Sequence, residues 1–385
     1  MTFHYANNID CLKDLEEELI NAWLEIDLTK YKHNIFYLRS LLPKNTKVMQ
    51  VVKADAYGHG AIEISEIAEK IGIDFLGVAN IAEGKILREN NIKLPILILG
   101  SIFDNQIEYA IKHDLQITIT SLDSLEHILA IAKDSNKLIN SHLKIDTGMG
   151  RVGILSTDLE LALTKIKESK NIVLKGVMTH FAESEKIASD FTNKQLELFN
   201  NCIEKIRAYG FSDFIIHCAN SSAVLVQPNS YFNMVRLGIS SYGIGDPIDN
   251  NLKQIIKLRT RIINIKKLPP NHSIGYRRTF FTKKESFIAI LPVGYADGVP
   301  RILSNNQDVL INGKRYPICG NISMDQLTVD ITNNPEIKIG DEAILLGESQ
   351  NEKITVEEWA NKAYRITYEI LCGFGNRLPR KYVYF

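Results

Sequence analysis

Six residues suited to acid–base or anion-binding chemistry lie where apolar, strand-like runs of the sequence end: Lys53, Tyr57, Arg151, His180, Ser221 and Arg236. None of the six is a carboxylate, so the set favours the binding of an anion. A lysine at the end of an apolar strand is costly to bury as an ammonium ion. Lys53 is therefore either an amine with a lowered pKa, suited to forming a Schiff base, or an ordinary exposed loop lysine.

The residues after the seventh and eighth predicted strands indicate a phosphate site. Ser221 follows the seventh strand, and the backbone amides around Gly238 and Ile239 follow the eighth. This is the usual phosphate position in barrels of alternating strands and helices. Tyr57, four residues after Lys53, could reach the same group. A phosphate and an activated lysine together suggest pyridoxal 5′-phosphate (PLP) as the cofactor.

Arg236 and His180 acquire roles if such a cofactor binds. A PLP site needs a partner for the pyridine nitrogen, and the cationic guanidinium of Arg236 would leave that nitrogen largely unprotonated. This arrangement favours simple removal and return of a proton over transamination. His180 is expected beside the cofactor ring, stacked on it or hydrogen-bonded near it. The alternatives are a structural salt bridge for Arg236 and a structural role for His180.

The elements that must position these residues are eight short apolar runs in the first two-thirds of the chain. The runs are 48–52, 75–79, 95–99, 116–120, 142–146, 173–179, 214–218 and 233–237. Most are continuously apolar, which indicates strands buried on both faces of a parallel sheet. Segments with helical spacing separate most of them, as in the stripe Leu196, Phe199, Ile203 and Ile206. The pattern predicts an α/β fold with an N-terminal (β/α)8 barrel. A doubly wound open sheet is the alternative, although no G-x-G-x-x-G motif follows the first strand.

A different pattern begins near Asn250, where strand-like runs continue without long helices between them. These runs are 259–267, 287–291, 309–311, 315–318, 327–331 and 342–346. Asn312-Gly313 predicts a hairpin turn between two of them, and short helices are predicted near 356–363 and 369–372. We therefore expect an N-terminal extension (1–21) that could form an acidic helix, the barrel (22–257) and a mostly antiparallel C-terminal β domain (258–385). A first strand near 22–28 could pack with the β domain.

The composition excludes several other classes of protein. The 45 basic and 45 acidic residues cancel, which argues against a nucleic-acid or anionic-membrane partner. The five cysteines form no C-x-x-C pair and the histidines no H-E-x-x-H motif, so neither a disulfide framework nor a metal site is expected. No signal segment and no apolar stretch of membrane-spanning length is present, and the expected location is the cytoplasm.

Several sequence motifs are recognisable as a set. The segment 51–60, Val-Val-Lys-Ala-Asp-Ala-Tyr-Gly-His-Gly, resembles the PLP-lysine motif of alanine racemases, the fold-type III PLP enzymes. The resemblance continues through the segments 143–151, 179–182, 219–223, 235–239, 274–276, 294–298 and 323–326. It covers roughly residue 23 to the C-terminus, and motifs in this number and order are very specific.

The resemblance implies an isomerase that interconverts L-alanine and D-alanine with two bases and feeds D-alanine to peptidoglycan synthesis. Lys53 would hold PLP as a Schiff base and act on the D-alanine face, while Tyr276 would act on L-alanine. In this family the tyrosine reaches the site of the neighbouring subunit, so a homodimer with shared active sites is implied. The residues implied to bind the cofactor, besides Lys53, are Tyr57, His180, Ser221, Arg236, Gly238 and Ile239.

The resemblance also assigns residues to the substrate. Arg151 and the backbone of the partner subunit's Met324 would hold the substrate carboxylate. Tyr295 and Arg301 resemble parts of the corridor by which substrate reaches the site. Lys144 matches a lysine that is carbamylated in several relatives, where the new carboxylate positions the arginine.

Four positions depart from the family pattern, and two other functions stay open. Asp55 stands where Asn is also common, Arg277 where many relatives have Gly, and Ser323 where Cys is frequent. Asn376 occupies a position where some relatives carry a phosphate-contacting tyrosine, which puts one phosphate ligand in doubt. A broad-specificity amino-acid racemase is one alternative function. A non-catalytic PLP-binding protein is another, but such proteins lack the β domain.

Overall fold

The computed structural model describes residues 20–134, 137–187 and 189–384. The described residues form two compact units: those within 31–253 make one, and residues 20–30 together with 254–384 make the other. The first described strand, β1 (Ala22–Asp27), belongs to the latter unit. Residues 1–19, where the sequence predicts an acidic helix, lie outside the described residues.

Eight parallel strands form a nearly closed barrel in the unit 31–253. They are β2 (Lys47–Val51), β3 (Phe75–Val78), β4 (Ile96–Ile98), β5 (Leu115–Ile119), β6 (Ile139–Lys144), β7 (Ile172–Met178), β8 (Ile215–His217) and β9 (Met234–Leu237). Their order is β8-β7-β6-β5-β4-β3-β2-β9. A hydrogen bond from Arg236 N to Ala219 O (2.9 Å) joins β9 to the chain just after β8. Each predicted strand overlaps one of these eight, so the predicted barrel is confirmed.

Helices separate most of the barrel strands and turn their apolar faces inward. They are α1 (Leu28–Ser40), α2 (Ala61–Lys70), α3 (Ile81–Glu89), α4 (Asp104–Lys112), α5 (Leu122–Asp134), α6 (Leu159–Glu168), α7 (Asp190–Ala208) and α8 (Ser221–Val226). In the predicted stripe on α7, Phe199, Ile203 and Ile206 are buried and Leu196 is half-buried. Side-chain caps fix where helices begin: Ser189 accepts a hydrogen bond from the Thr192 amide at the start of α7.

The second unit is mostly antiparallel, as predicted. Its further strands are β10 (Ile256–Arg261), β11 (Asn264–Leu268), β12 (Ser273–Ile274), β13 (Phe280–Phe281), β14 (Ser286–Leu291), β15 (Asp308–Ile311), β16 (Lys314–Pro317), β17 (Leu327–Asp330), β18 (Glu342–Ser349), β19 (Glu352–Ile354) and β20 (Arg380–Val383). One sheet has the order β16-β15-β18-β10-β1-β20, with β19 beside β18; the others are β11-β14-β17 and the hairpin β12-β13. Only β1 and β20 pair in parallel among these described strands. Two short helices, α9 (Val356–Ala363) and α10 (Thr367–Cys372), lie between β19 and β20.

One predicted strand of this unit is wrong and one predicted turn is confirmed. The run 259–267 is two strands, because β10 pairs with β1 and β18 while β11 pairs with β14 in another sheet. The chain changes sheets between them, which the local apolar pattern does not show. The predicted hairpin at Asn312-Gly313 joins β15 to β16, and both residues have positive φ (49° and 74°), as a tight hairpin turn requires.

Two other features, a membrane-spanning helix and a metal-binding cluster, are absent from the described residues. Among them, no helix is both long and apolar enough to cross a bilayer. Within the same residues, no three His, Cys, Asp or Glu side chains cluster in a way that could hold a metal ion.

Candidate active site

Lys53 follows β2 and opens a turn, Lys53–Gly58, whose backbone is left-handed. The four central residues, all with φ between 51° and 56°, are Ala54, Asp55, Ala56 and Tyr57. This conformation costs roughly 1–2 kcal/mol for each L-residue. Strain of this kind persists only where the surroundings impose it, and it is typical of functional sites. The turn brings the Lys53 amine to 6.0 Å from the centre of the Tyr57 ring.

Two carboxylates hold the left-handed turn in place. Glu83 accepts a hydrogen bond from the Ala54 amide (2.9 Å) and a second from the Ala79 amide (2.7 Å), which follows β3. Asp55 accepts a hydrogen bond from the Ala61 amide (2.8 Å) at the start of α2. The turn is therefore attached both to the neighbouring strand and to the next helix. Asp55, a departure from the family pattern, has a structural contact of its own.

The predicted phosphate ligands lie together at one point of the barrel rim. The Ser221 hydroxyl accepts hydrogen bonds from the amides of Gly238 (2.8 Å) and Ser240 (3.3 Å). A Cβ atom at Gly238 would lie 2.8 Å from the Tyr57 hydroxyl, so only glycine leaves room there. Ile239 begins the next helical turn. The cradle thus collects a phenol, a hydroxyl and helix-terminal amides, which are the donors that phosphate prefers.

Arg236 is buried without a carboxylate partner among the described residues. Its two terminal nitrogens donate to the carbonyl oxygens of Thr179, His217 and Cys218, each at 2.9 Å. They also contact ring nitrogens of His217 and His180 at 3.1 Å. Burial lowers the pKa of Arg236 to about 10, so the guanidinium stays cationic at neutral pH. No acceptor for its Nε–H is found in the part of the chain that the structure describes.

A chain of neutral side chains runs from Arg236 into the barrel interior. His217 contacts His142 (2.8 Å between Nε2 and Nδ1), and His142 Nε2 contacts the Gln116 side-chain oxygen (2.9 Å). Burial lowers the pKa of His142 to about 3 and that of His217 well below its ordinary value, with Arg236 adding to both shifts. Both rings are therefore neutral. We assign the tautomers from the acceptors. His142 Nε2–H donates a hydrogen bond to the Gln116 side-chain oxygen, and His217 Nε2–H donates to His142 Nδ1. His217 Nδ1 in turn accepts a hydrogen bond from Arg236.

Sequence reasoning identified none of the three residues in this chain. Gln116, His142 and His217 stand on β5, β6 and β8, and a polar residue inside a buried strand is the signal that could have found them. Their partners are distant in sequence, so no local motif records the contacts.

Lys144 and His180 lie with Lys53 and Arg236 at the barrel mouth. Lys144 is buried at the end of β6, and no hydrogen-bond acceptor for its amine is found among the described residues. Burial, then Arg236 and Arg151, lower the pKa of Lys144 to about 8. Burial and Arg236 likewise lower the pKa of His180 well below its ordinary value. We call Lys53, Tyr57, Lys144, His180 and Arg236 the barrel-mouth pocket.

Arg151 lies at the edge of this pocket, on the loop that follows β6. The loop is folded back by Asp146, whose carboxylate accepts hydrogen bonds from the amides of Gly148 (2.9 Å) and Gly150 (3.1 Å). The guanidinium of Arg151 is exposed. It lines a cavity of about 430 Å³ together with Ser101, Thr120, Ser121, Asp146, Gly150, Val152 and Gly153. The arrangement offers a cation to an incoming carboxylate.

The remaining predicted site residues belong to the second unit. Tyr276 lies in a tight turn, Gly275–Arg278, and its side chain is 70% exposed. Met324 is also exposed, and its backbone oxygen accepts the Ala296 amide (3.0 Å), while its own N–H has no acceptor among the described residues. Tyr295 and Arg301 are both exposed, in two neighbouring helical turns.

The barrel-mouth pocket fits PLP in three respects. It holds an amine at Lys53, a cradle at Gly238 that a Cβ atom would fill, and a buried cation at Arg236 with an unshared Nε–H. The Nε–H of Arg236 could donate a hydrogen bond to the pyridine nitrogen of PLP and leave that nitrogen unprotonated. All three features lie within the unit 31–253.

Comparisons with known proteins agree on one family. Residues 26–246 match the family model "Alanine racemase, N-terminal domain", and residues 255–382 match "Alanine racemase, C-terminal domain". An alanine racemase of Halothermothrix orenii is 38% identical over 365 residues, covering 94% of this chain and 96% of its own. Alanine racemase of Clostridium difficile 630 has a similar structure, with a TM-score of 0.89, 37% identity and coverage of 95% and 96% of the two chains. The enzyme of Bartonella henselae with covalently bound pyridoxal phosphate is similar at 28% identity and a TM-score of 0.84, with coverage of 94% and 100%.

Proposed function

The chain belongs to the alanine racemase family, and on this premise we propose that it interconverts L-alanine and D-alanine with two bases on opposite faces of the substrate. The chain is an isomerase of the racemase class. The observation that carries the proposal is Arg236, a buried cation surrounded by carbonyl oxygens and neutral histidines. A site without an acidic partner for the cofactor ring suits proton removal and return.

The cofactor of the proposed reaction is PLP, which when bound conjugates with the amino group and acidifies the α-proton. Lys53 would hold it covalently. Tyr57, Ser221, Gly238 and Ile239 would bind its phosphate. Arg236 would face its ring nitrogen, and with a pKa of about 10 it would do so as a cation at neutral pH.

Two groups of this protein would move the α-proton. The Lys53 amine would take or return it on the D-alanine face, and the Tyr276 phenol on the L-alanine face. Two bases on opposite faces make racemisation possible without reorienting the substrate. Arg151 and the amide of the partner subunit's Met324 would hold the substrate carboxylate. This division of groups requires a homodimer in which each site uses both subunits.

Lys144 is proposed to carry a carbamate. Its lowered pKa leaves a substantial fraction of neutral amine near neutral pH, and the neutral amine is the form that reacts with CO₂. The new N–C bond would form with release of one proton from the nitrogen. The product would be an anion near the cationic groups of Arg151, Arg236 and Lys53, and it would hold Arg151 in place. Intact-protein mass spectrometry in bicarbonate buffer, compared with CO₂-free buffer, tests this modification.

We further propose that the enzyme works in the cytoplasm and supplies D-alanine for peptidoglycan. The family resemblance supports the supply of D-alanine for peptidoglycan. The five cysteines, which are scattered along the sequence, suit a reducing compartment such as the cytoplasm.

The deciding experiment is a circular-dichroism assay of L-alanine conversion by the purified, PLP-loaded protein. We expect the circular-dichroism signal of an L-alanine solution to decay to zero, where the concentrations of L-alanine and D-alanine are equal. The same assay with serine and lysine distinguishes an alanine racemase from the broad-specificity alternative. No conversion of any amino acid by a protein that binds PLP would support the non-catalytic alternative.

A further inference from the structure

The direction of the Tyr276 side chain depends on its backbone. The ring is 70% exposed, and its hydroxyl has no hydrogen-bond partner among the described residues. Within the described part of its own chain, neither packing nor a side-chain contact holds the ring in one direction. The chain's own contribution to that precision is the backbone of the turn Gly275–Arg278, which we call the Tyr276 turn.

The Tyr276 turn is not stable by itself. Gly275, Arg277 and Arg278 all have positive φ (71°, 60° and 51°), and this region is unfavourable for the two arginines. The turn's own hydrogen bond, from Arg278 N to Gly275 O, is long at 3.3 Å. Contacts from outside must keep the turn in this conformation.

Asn321 supplies such a contact. Its side-chain amide donates a hydrogen bond of 2.8 Å to the carbonyl oxygen of Tyr276. Gly275 packs closely on the backbone of the same residue: a Cβ atom at Gly275 would lie 3.2 Å from the backbone nitrogen of Asn321. A second link follows through Asn305, which accepts the Gly320 amide (2.6 Å) and donates to the Thr279 hydroxyl (3.1 Å).

The loop that carries Asn321 also carries Met324. Hydrogen bonds fix this part of the loop as well: the Ser323 amide donates to Gln326 O (2.9 Å), and the Tyr295 amide donates to Ser323 O (3.0 Å). Gly294 approaches so closely that a Cβ atom there would lie 2.4 Å from Met324 O. One short loop thus supports both the Tyr276 turn and the Met324 amide.

We propose that Asn321 is a positioning residue: it holds the Tyr276 turn so that the phenol and the Met324 amide keep a fixed relation. The inference rests on the proposed function, because it takes Tyr276 as the base on the L-alanine face. Asn321 itself touches neither substrate nor cofactor in this role. It acts through the carbonyl oxygen of Tyr276.

The test replaces Asn321 in the PLP-loaded enzyme by Asp and by Ala. Asn321→Asp keeps the shape but turns a donor into an anion facing a carbonyl oxygen, and Asn321→Ala removes the contact. We expect kcat to fall about tenfold in both variants, because a small displacement of a catalytic group is costly. The primary α-deuterium isotope effect on kcat/KM should rise for L-alanine and fall for D-alanine. This occurs because proton transfer at Tyr276 becomes the slower of the two transfers.

A role limited to stability would lower activity without moving the two isotope effects apart, and that result would overturn the inference. A cooperative thermal unfolding transition establishes that each variant is folded. If Asn321→Asp is not folded, the isotope effects of Asn321→Ala decide the test. Asn306→Asp is the matched control, since Asn306 is exposed nearby and makes no side-chain hydrogen bond among the described residues. The same isotope shift in Asn306→Asp would overturn the inference in favour of a general charge effect.

Tyr276→Phe separates this inference from the proposed function. If that variant fails to move the isotope effects apart, Tyr276 is not the base and the proposed function is wrong in this respect. If Tyr276→Phe moves them apart and neither Asn321 variant does, only the role of Asn321 is wrong.

Discussion

Arg236 at the barrel mouth is 6% exposed, whereas Tyr276 in the second unit is 70% exposed. Arg236 has all the hydrogen atoms of its two terminal nitrogens directed at carbonyl oxygens or histidine rings. Among the described residues, Tyr276 itself accepts one side-chain hydrogen bond, at its backbone carbonyl oxygen. The barrel-mouth pocket therefore sets the charge of its groups by burial, while the Tyr276 turn sets only direction. Substitutions in the first region should change electrostatics and pH dependence, and substitutions in the second should change geometry.

Removal of the Lys53 amine tests the central group of the barrel-mouth pocket, and its effect should be the largest. We expect Lys53→Ala to lower kcat/KM by about 10⁴-fold, since the base on one face and the covalent anchor are lost together. Borohydride reduction of the PLP-loaded protein should trap the cofactor in the wild type but not in this variant. Lys47→Ala, at the exposed start of the same strand, is the control and should stay active. A trappable Schiff base in Lys53→Ala would refute the assignment.

Removal of the Tyr276 hydroxyl tests the second region. Tyr276→Phe should lower kcat/KM by about 10³-fold, because one base is lost while the cofactor anchor remains. Mixing subunits that carry Lys53→Ala with subunits that carry Tyr276→Phe should restore part of the activity, since one of the two sites in each heterodimer would be intact. The measurement is activity against mixing ratio after dissociation and reassociation. No recovery in verified heterodimers would contradict shared sites.

Loss of the Arg236 cation should affect stability as well as activity. Arg236→Gln leaves several buried carbonyl oxygens with fewer donors, and we expect roughly 2–4 kcal/mol lower free energy of unfolding. Racemisation should slow by about 10²-fold, since the site's fixed charge is lost. Denaturant unfolding and the circular-dichroism assay measure the two effects. A variant with unchanged stability would show that burial of Arg236 is less complete than in the structure.

Lys144 should give the smallest effect, seen in the pH dependence of stability. Burial lowers its pKa to about 8 from an ordinary 10.5, so the unfolded chain binds more protons between these pH values. Stability should therefore rise with pH across this window. Below it, Lys144→Met should be more stable than the wild type, and the difference should shrink as pH approaches about 10. Denaturant unfolding in CO₂-free buffer measures it, and a difference independent of pH would contradict the assignment.

The sequence predicted the barrel and the residues at its strand ends because each strand is a short, continuously apolar run. It missed the left-handed turn after Lys53, since the sign of φ at Ala54 or Ala56 leaves no trace in an apolar pattern. The chain from His142 to His217 was missed for another reason, because its members contact each other across 75 residues of sequence. The division of 259–267 into two strands depends on pairing partners elsewhere in the fold. Information of these kinds is tertiary.

The left-handed turn after Lys53 has a backbone conformation that favours D-amino acids over the L-amino acids that form it. Ala54 and Ala56 have φ of 51°, a backbone shape that is strained for an L-amino acid and relaxed for its mirror image. In a chemically synthesised chain, D-alanine at these two positions would adopt the same turn without strain and would stabilise it by roughly 1–2 kcal/mol at each position. The proposed product of this enzyme is thus a residue whose handedness matches the turn beside Lys53.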